Sequence, residues 1–228
     1  MGEAIRKSQK ITFEDIVKNK EINMYIDMGN KLLGELGYTD HSRAHSKVVA
    51  DTAAEILAQL DYSKKDVELA RIAGYMHDIG NSVNRHDHAH SGAIMAFEIL
   101  RDMHMKISDT ATIVSAIGNH DEATGNAVTA VGAALIIADK ADVRRSRVRN
   151  KEKSSFDKHD RVNYAVSSSK IMVDRIKKTI HLDLNLDEEK CSVLDYFEIF
   201  LERMLMCQRA ASFLQMKFKF TVNGNKVL

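Results

Sequence analysis

Apolar residues recur at helical spacing along most of the first 140 positions and alternate only near the C-terminus, so the pattern predicts a helical body followed by a small mixed region. The first stripe covers residues 13–36, with Thr12 as N-cap and Gly37 as its stop. A second begins near His41 and carries Val48, Val49, Thr52, Ala53, Ile56, Leu57 and Leu60 on one broad face, with His45 leading it inward. Asp66 is expected to cap a third helix, whose run Val67, Leu69, Ala70, Ile72, Ala73 and Met76 ends on His77-Asp78. A helix over residues 91–103 should pack through Ile94, Phe97, Leu100 and Met103. The next, starting at Ser108 or Asp109, places Ile113, Ile117 and His120 at i, i+4 and i+7, which turns the imidazole toward the core. Residues 127–143 put Val131, Leu135, Ala138 and Asp139 on a shared apolar face.

Beyond this point the period changes. Short alternating runs lie near residues 164–173 and 179–186, a helix is expected over 192–214, and a strand over 217–222 leads into the hairpin turn Asn223-Gly224-Asn225. The fold class is therefore mostly α, a helical bundle over residues 1–158 with a small C-terminal α+β subdomain over 159–228. The chain has no proline, so neither a proline-rich linker nor a proline kink divides it.

With 228 residues, 44% of them hydrophobic, the chain can bury a substantial core, and a net charge of +1 argues against a strongly basic nucleic-acid binder. The start Met1-Gly2-Glu3 lacks a leader-like apolar run, and no stretch of membrane-spanning length appears. A cytoplasmic protein without a membrane partner is expected. Cys191 and Cys207 are too far apart for a Cys-x-x-Cys arrangement, so they read as reduced thiols.

Two positions contradict the patterning that surrounds them. His77-Asp78 closes an apolar run, and Asp139 stands where a core residue belongs. A buried imidazole or carboxylate needs a partner, and a divalent metal serves both. The pair continues as Ile79-Gly80, with His45 upstream in the setting His45-Ser46-Lys47-Val48-Val49-Ala50, and His88, His120 and Asp139 downstream on separate segments. Together these residues resemble the HD superfamily of metal-dependent phosphohydrolases, in particular the subset with the His-Asp-Ile-Gly signature. The chain lacks a Gly-Tyr-Pro motif and has Asn81 after the Ile-Gly, unlike the branch that degrades cyclic di-GMP.

The resemblance implies that His45, His77, Asp78 and Asp139 hold a first metal. It places a second on His120 and on one histidine of the segment after the His-Asp pair. Spacing leaves His86, His88 and His90 open there, and the relatives' habit of placing the ligand about four residues before a small residue selects His88 through Gly92. Asn119-His120 stands where many two-metal relatives carry His-His. Asp78 is the expected bridge and central catalytic carboxylate. Lys140 follows Asp139 as it does in related enzymes, where it approaches phosphate, and Arg144, Arg85 and Asn81 are further substrate contacts. Asp121 and Glu122 could orient His120; His41, the His159-Asp160 pair and the basic run Arg145, Arg147, Arg149, Lys151 and Lys153 read as loop, structural or solvated residues.

The reading is hydrolysis of a phosphoester, in a nucleotide or another small phosphorylated metabolite, by metal-activated water. Two divalent metal ions are expected, with Mn, Fe, Mg, Ni and Zn undistinguished, and a homodimer is compatible. Two rivals are carried: a di-iron oxygenase of the same fold, separated by oxygen consumption, and a non-catalytic metal-stabilised nucleotide-binding or dimerisation module, separated by binding without turnover. A nucleic-acid partner would rest on the basic run alone and show strong salt dependence.

Overall fold

A computed structural model describes residues 10–152 and 155–227. Met1-Gly2-Glu3 and the basic residue Lys153 lie outside the described residues. The fold is mostly α, with a four-stranded sheet near the C-terminus.

The first stripe forms two helices where the pattern predicts one. α1 (Phe13–Lys18) starts from Thr12, whose side chain forms a capping box with Asp15. The chain then breaks at Asn19, whose Oδ1 accepts from the backbone N–H groups of Glu21 (2.8 Å) and Ile22 (3.1 Å) to start α2 (Lys20–Glu35). The buried positions of α1 (Phe13, Ile16) and α2 (Ile22, Ile26, Gly29, Leu33) do not form one continuous stripe, because the step from Ile16 to Ile22 turns an α-helix by about 240°, so a shift of apolar phase accompanies the break. Gly37 ends the stripe in the left-handed region, at φ +81°.

α3 (Arg43–Gln59) is capped by Ser42, and α4 (Lys64–Met76) by Ser63 in place of the expected Asp66, whose carboxylate accepts from the Ser63 hydroxyl. The chain continues through a 3-10 turn at Ile79–Ser82 into α5 (His88–Asp102), which begins three residues before the expected Ser91. Of its expected packing face, Leu100 is buried and Met103 packs against the core, but Ile94 and Phe97 do not. Ile94 is 67% and Phe97 44% exposed, while Ala89, Gly92, Ala93, Ala96 and Ile99 turn inward. Small residues are required because α5 lies backbone to backbone on the turn: a Cβ built on Gly80 would stand 2.0 Å from the His88 carbonyl oxygen and 2.4 Å from Gly92 N.

α6 (Ile107–Gly118) and α7 (Ala130–Ala141) complete the bundle. α7 packs against α3, α4, α6 and α9, and residues 131–138 are all buried, so a helix apolar on every side is what its position demands. The charged run 158–165 forms α8 (Lys158–Ala165), capped by Asp157 and unforeseen in the pattern. The strands are β1 (Val166–Asp174), β2 (Thr179–Leu186), β3 (Lys217–Val222) and β4 (Asn225–Lys226), in the order β1-β2-β3-β4. β1–β2 and β3–β4 are antiparallel, while β2 and β3 are parallel and joined through α9 (Val193–Phe213). Asn223 (φ 51°) and Gly224 (φ 76°) form the terminal hairpin turn, as their left-handed tolerance predicts. One hydrophobic cluster runs from Phe13 to Val222, so α9 and the sheet share buried surface with the bundle.

Candidate metal centre

Helix ends converge on one point. His45 lies in the first turn of α3, His77 at the C-cap of α4 with Asp78 directly after it, and His88 opens α5. His120 follows the C-cap of α6, and Asp139 sits in the last turn of α7. His45, His77, Asp78, His88 and His120 are all 5% exposed or less, and the Asp139 side chain is 13% exposed.

Every one of the four imidazoles is oriented the same way. Nδ1 faces an acceptor: Asp142 Oδ2 for His45 (2.6 Å), and the carbonyls of Gly74 for His77 (2.8 Å), Arg85 for His88 (3.0 Å) and Ile117 for His120 (2.7 Å). A carbonyl cannot donate, so the Nδ1 atoms that face carbonyls carry protons, and every ring turns Nε2 inward, where its neutral form offers a lone pair. The Nε2 atoms of His88 and His120 then stand 3.2 Å apart. Two lone pairs at that distance repel unless a cation lies between or beside them.

Asp78 addresses both sides. Its Oδ2 lies 3.3 Å from His77 Nε2 and 3.7 Å from His45 Nε2, while Oδ1 lies 3.6 Å from His88 Nε2 and 4.0 Å from His120 Nε2. Asp139 Oδ1 closes the first side at 3.5 Å from His45 and 3.6 Å from His77. These separations exceed a charge-assisted hydrogen bond. They match ligand-to-ligand spacings instead, since donors about 2.1 Å from a tetrahedral ion are roughly 3.4 Å apart. His45 Nε2, His77 Nε2 and Asp78 Oδ2 are buried with no hydrogen-bond partner among the described residues, a condition a cation relieves. The donors therefore fit a divalent metal, and three overlapping groups could hold one: His45–His77–Asp78, His77–His120–Asp139 and Asp78–His88–His120.

Charge follows the same logic. Burial alone would lower His77, yet the adjacent Asp78 and Asp139 carboxylates raise it to about 10. Burial would raise both carboxyls, but His77 beside Asp78, and Lys140 with His45 and His77 beside Asp139, hold them well below the carboxylate range. Burial lowers His88 and drops His120 well below the ordinary value, which keeps their lone pairs free.

The remaining expected residues divide. Lys140 Nζ lies 2.7 Å from Asp139 and 3.3 Å from Glu122, and both Lys140 and Arg85 line a cavity of about 330 Å³ that opens on Asp78, His88 and Asp139. Asn81 is buried away from that cavity, and its amide donates to Asp78 Oδ1 at 2.8 Å, so it orients the carboxylate. Arg144 is drawn to Asp142 (2.6 Å) and does not line the cavity. His86 and His90 are exposed and face Asp87. Glu122 holds Lys140 and Arg203 instead of orienting a histidine.

Several contributors were not legible in the sequence. Asp142 orients His45, and burial would raise its carboxyl, but the His45 hydrogen bond and the nearby Arg147 and Arg144 hold it well below the usual range. Its place three residues after Asp139 was the available signal. Arg147, expected to be solvated, is buried and donates to the carbonyls of Asp40 (2.9 Å) and Asp142 (2.7 Å). His41, His159, Asn163 and Arg203 also line the cavity; Arg203 comes from α9, too distant in sequence for any local pattern to connect it.

Among relatives, the uncharacterized protein MJ1020 of Methanocaldococcus jannaschii is 29% identical over 164 residues, covering 61% of this chain and 62% of that protein. Ribonuclease Y of Lawsonia intracellularis is 33% identical over 113 residues, which is 48% of this chain and 20% of the enzyme. The matched stretches thus span less than two thirds of either relative. A crystal structure of a predicted HD superfamily hydrolase from an uncultured Thermotogales bacterium aligns at 27% identity and a TM-score of 0.43, covering 55% of this chain and 68% of that one. The profile of the HD domain family matches residues 43–158, a stretch that contains every one of the six clustered residues. With that match over half of its length and a buried His/Asp cluster fit for a divalent metal, the chain belongs to the HD domain family.

Proposed function

We propose that the protein is a metal-dependent phosphohydrolase with a two-metal site, in which Asp78 bridges His45, His77 and Asp139 on one side and His88 and His120 on the other. The observation that carries this reading is the division of labour within Asp78: each carboxylate oxygen faces its own pair of inward Nε2 atoms. A bound pair of divalent ions would supply Lewis acidity toward a phosphoryl group and lower the pKa of water.

The chain supplies the rest. Asn81 fixes the tilt of Asp78 through Oδ1, and Asp142 fixes the ring of His45. Lys140, Arg85, Arg147 and Arg203 line the cavity beside the cluster, together with Asp78, Asp139 and Asp157, and these cationic side chains suit an anionic ester whose charge grows in the transition state. Lys140 lies closest to the cluster and is the group placed to neutralise a phosphoryl oxygen. A relative matched over 20% of its length is named a ribonuclease, an enzyme of phosphodiester chemistry, which supports a phosphoester as the bond broken. The substrate is read as a small phosphorylated metabolite or nucleotide, because the cavity is of small-molecule size.

The test is a panel of phosphomonoesters and phosphodiesters assayed with added Mn²⁺, with chelator, and with Asp78→Ala. Turnover that disappears on chelation and in the variant, while the helical circular dichroism is kept, is the expected result. Full activity in Asp78→Ala would remove the assignment, and oxygen consumption without phosphate release would move the site to the oxidative reading.

A further inference from the structure

Among the cations of the cavity, Lys140 is held by Asp139 and Glu122, Arg203 by Glu122 (2.6 Å), and Arg147 lies 3.7 Å from Asp142. Arg85 alone has no carboxylate partner among the described residues. Its position is set by His88, which it contacts from both ends. The Arg85 carbonyl accepts from His88 Nδ1 at 3.0 Å, and its guanidinium Nη1 lies 3.4 Å from His88 Nε2 and 3.4 Å from Asn81 Oδ1. The first contact forces the proton onto Nδ1, so the second is a donation into the His88 lone pair. That lone pair is the one assigned to the second metal.

A guanidinium and a metal ion cannot share one lone pair. The Nε2 atoms of His88 and His120, 3.2 Å apart, need positive charge nearby, and Arg85 is the side chain that brings it. Both of its polar contacts are at the long end of hydrogen bonding, so it is weakly held there, and among the described residues its other partner is the face of Tyr38, 5.6 Å away. Arg85 is half-buried and already borders the cavity in which substrate is read to bind.

We infer that Arg85 is a displaceable stand-in cation for the second metal subsite: it occupies His88 Nε2 until a metal takes that lone pair, and its freed guanidinium then serves the substrate phosphate. This rests on the two-metal reading above. It assigns Arg85 a positioning role in metal loading in addition to substrate contact, and it makes loading and phosphate binding favour one another, since each draws the guanidinium off His88.

The test is calorimetric titration of the metal-stripped full-length protein with MnCl₂, with bound metal counted by elemental analysis, for the wild type, Arg85→Gln and His120→Ala. His120→Ala identifies the second-metal step. In Arg85→Gln that step should tighten about tenfold, equivalent to about 1.4 kcal/mol, while the first step stays within twofold. Inorganic phosphate should tighten the second step by a larger factor in the wild type than in Arg85→Gln. Two equivalents with equal or weaker second-step affinity in Arg85→Gln, or equal phosphate effects, would overturn the stand-in role and leave the two-metal reading intact. One equivalent in both proteins would overturn the two-metal reading and the stand-in role together.

Discussion

Gly80→Ala should disable the second half of the metal centre by displacing a helix. The added Cβ would meet three main-chain atoms, His88 O at 2.0 Å, Gly92 N at 2.4 Å and Gly92 Cα at 2.9 Å. None of them can rotate away as a side chain could. Ordinary contact begins near 3.4 Å, so relief at the His88 carbonyl alone requires α5 to retreat by roughly 1.4 Å, the difference from 2.0 Å. Overpacking costs about 1–3 kcal/mol and occasionally more, and a clash that is entirely backbone belongs at the upper end. About 3 kcal/mol corresponds to a drop in Tm of roughly 6–12 °C for a chain of this size. Because the first turn of α5 carries His88, the retreat also withdraws a ligand. The assay is thermal unfolding in chelator together with metal counting after reconstitution, and the expected variant melts lower and retains the first metal but not the second. Gly118→Ala is the control, since its Cβ would meet only the Ala93 Cβ at 3.5 Å and should leave both readouts near the wild type. An unchanged Tm with a full metal complement in Gly80→Ala would refute the close-approach argument.

Asp142→Asn removes the carboxylate that orients His45 and should weaken first-metal affinity about 10–100-fold, measured by competition with a chromophoric chelator; unchanged affinity would leave Asp142 a purely structural partner of Arg144. The depressed Asp142 carboxyl contributes stability that is fully present above its ordinary value of 3.8 and is lost as pH falls below it, so urea midpoints taken from pH 5 to pH 3 in chelator should fall more steeply for the wild type than for Asp142→Asn. Lys140→Met should lower kcat about 10²-fold with metal content retained; loss of metal in place of kcat would show that Lys140 acts only on Asp139.

The cluster was legible because burial and polarity conflict at its residues. His45, His77, His120 and Asp139 stand on faces that apolar periodicity turns inward, and an unpartnered charge or imidazole there has few outlets. His88 was reachable only through resemblance, since His86 and His90 share its segment and the local pattern does not separate them. The shell around the cluster was hidden for two reasons. Arg147 belongs to a basic run that resembles a solvated loop, and carbonyl acceptors such as those of Asp40 and Asp142 leave no side-chain signature. Arg203 reaches the cavity from α9, far along the chain.

The fold misreadings have equally local causes. Large apolar side chains usually mark the buried face of a helix, but α5 lies against the backbone of the 3-10 turn, so Gly92 and its alanine neighbours face inward and Ile94 and Phe97 outward. Asn19 divides α1 from α2 by a side-chain cap, and the buried face shifts with it, from Phe13 and Ile16 to Ile22, Ile26 and Leu33. The terminal hairpin and the capping boxes at Thr12 and Ser192 are sequence-local motifs, and these are the elements that composition specifies most directly. Gly80 joins both levels. It sits in the short signature that reveals the site, and its missing side chain is what lets α5 bring His88 to Asp78.

The most direct measurement is anomalous scattering at the manganese absorption edge from crystals of the Mn²⁺-reconstituted protein. Two peaks sharing Asp78 are predicted, one among His45, His77 and Asp139 and the other beside His88 and His120. A single peak at the first position would contradict the bridging role of Asp78, and the absence of any peak at the cluster would contradict the metal centre itself.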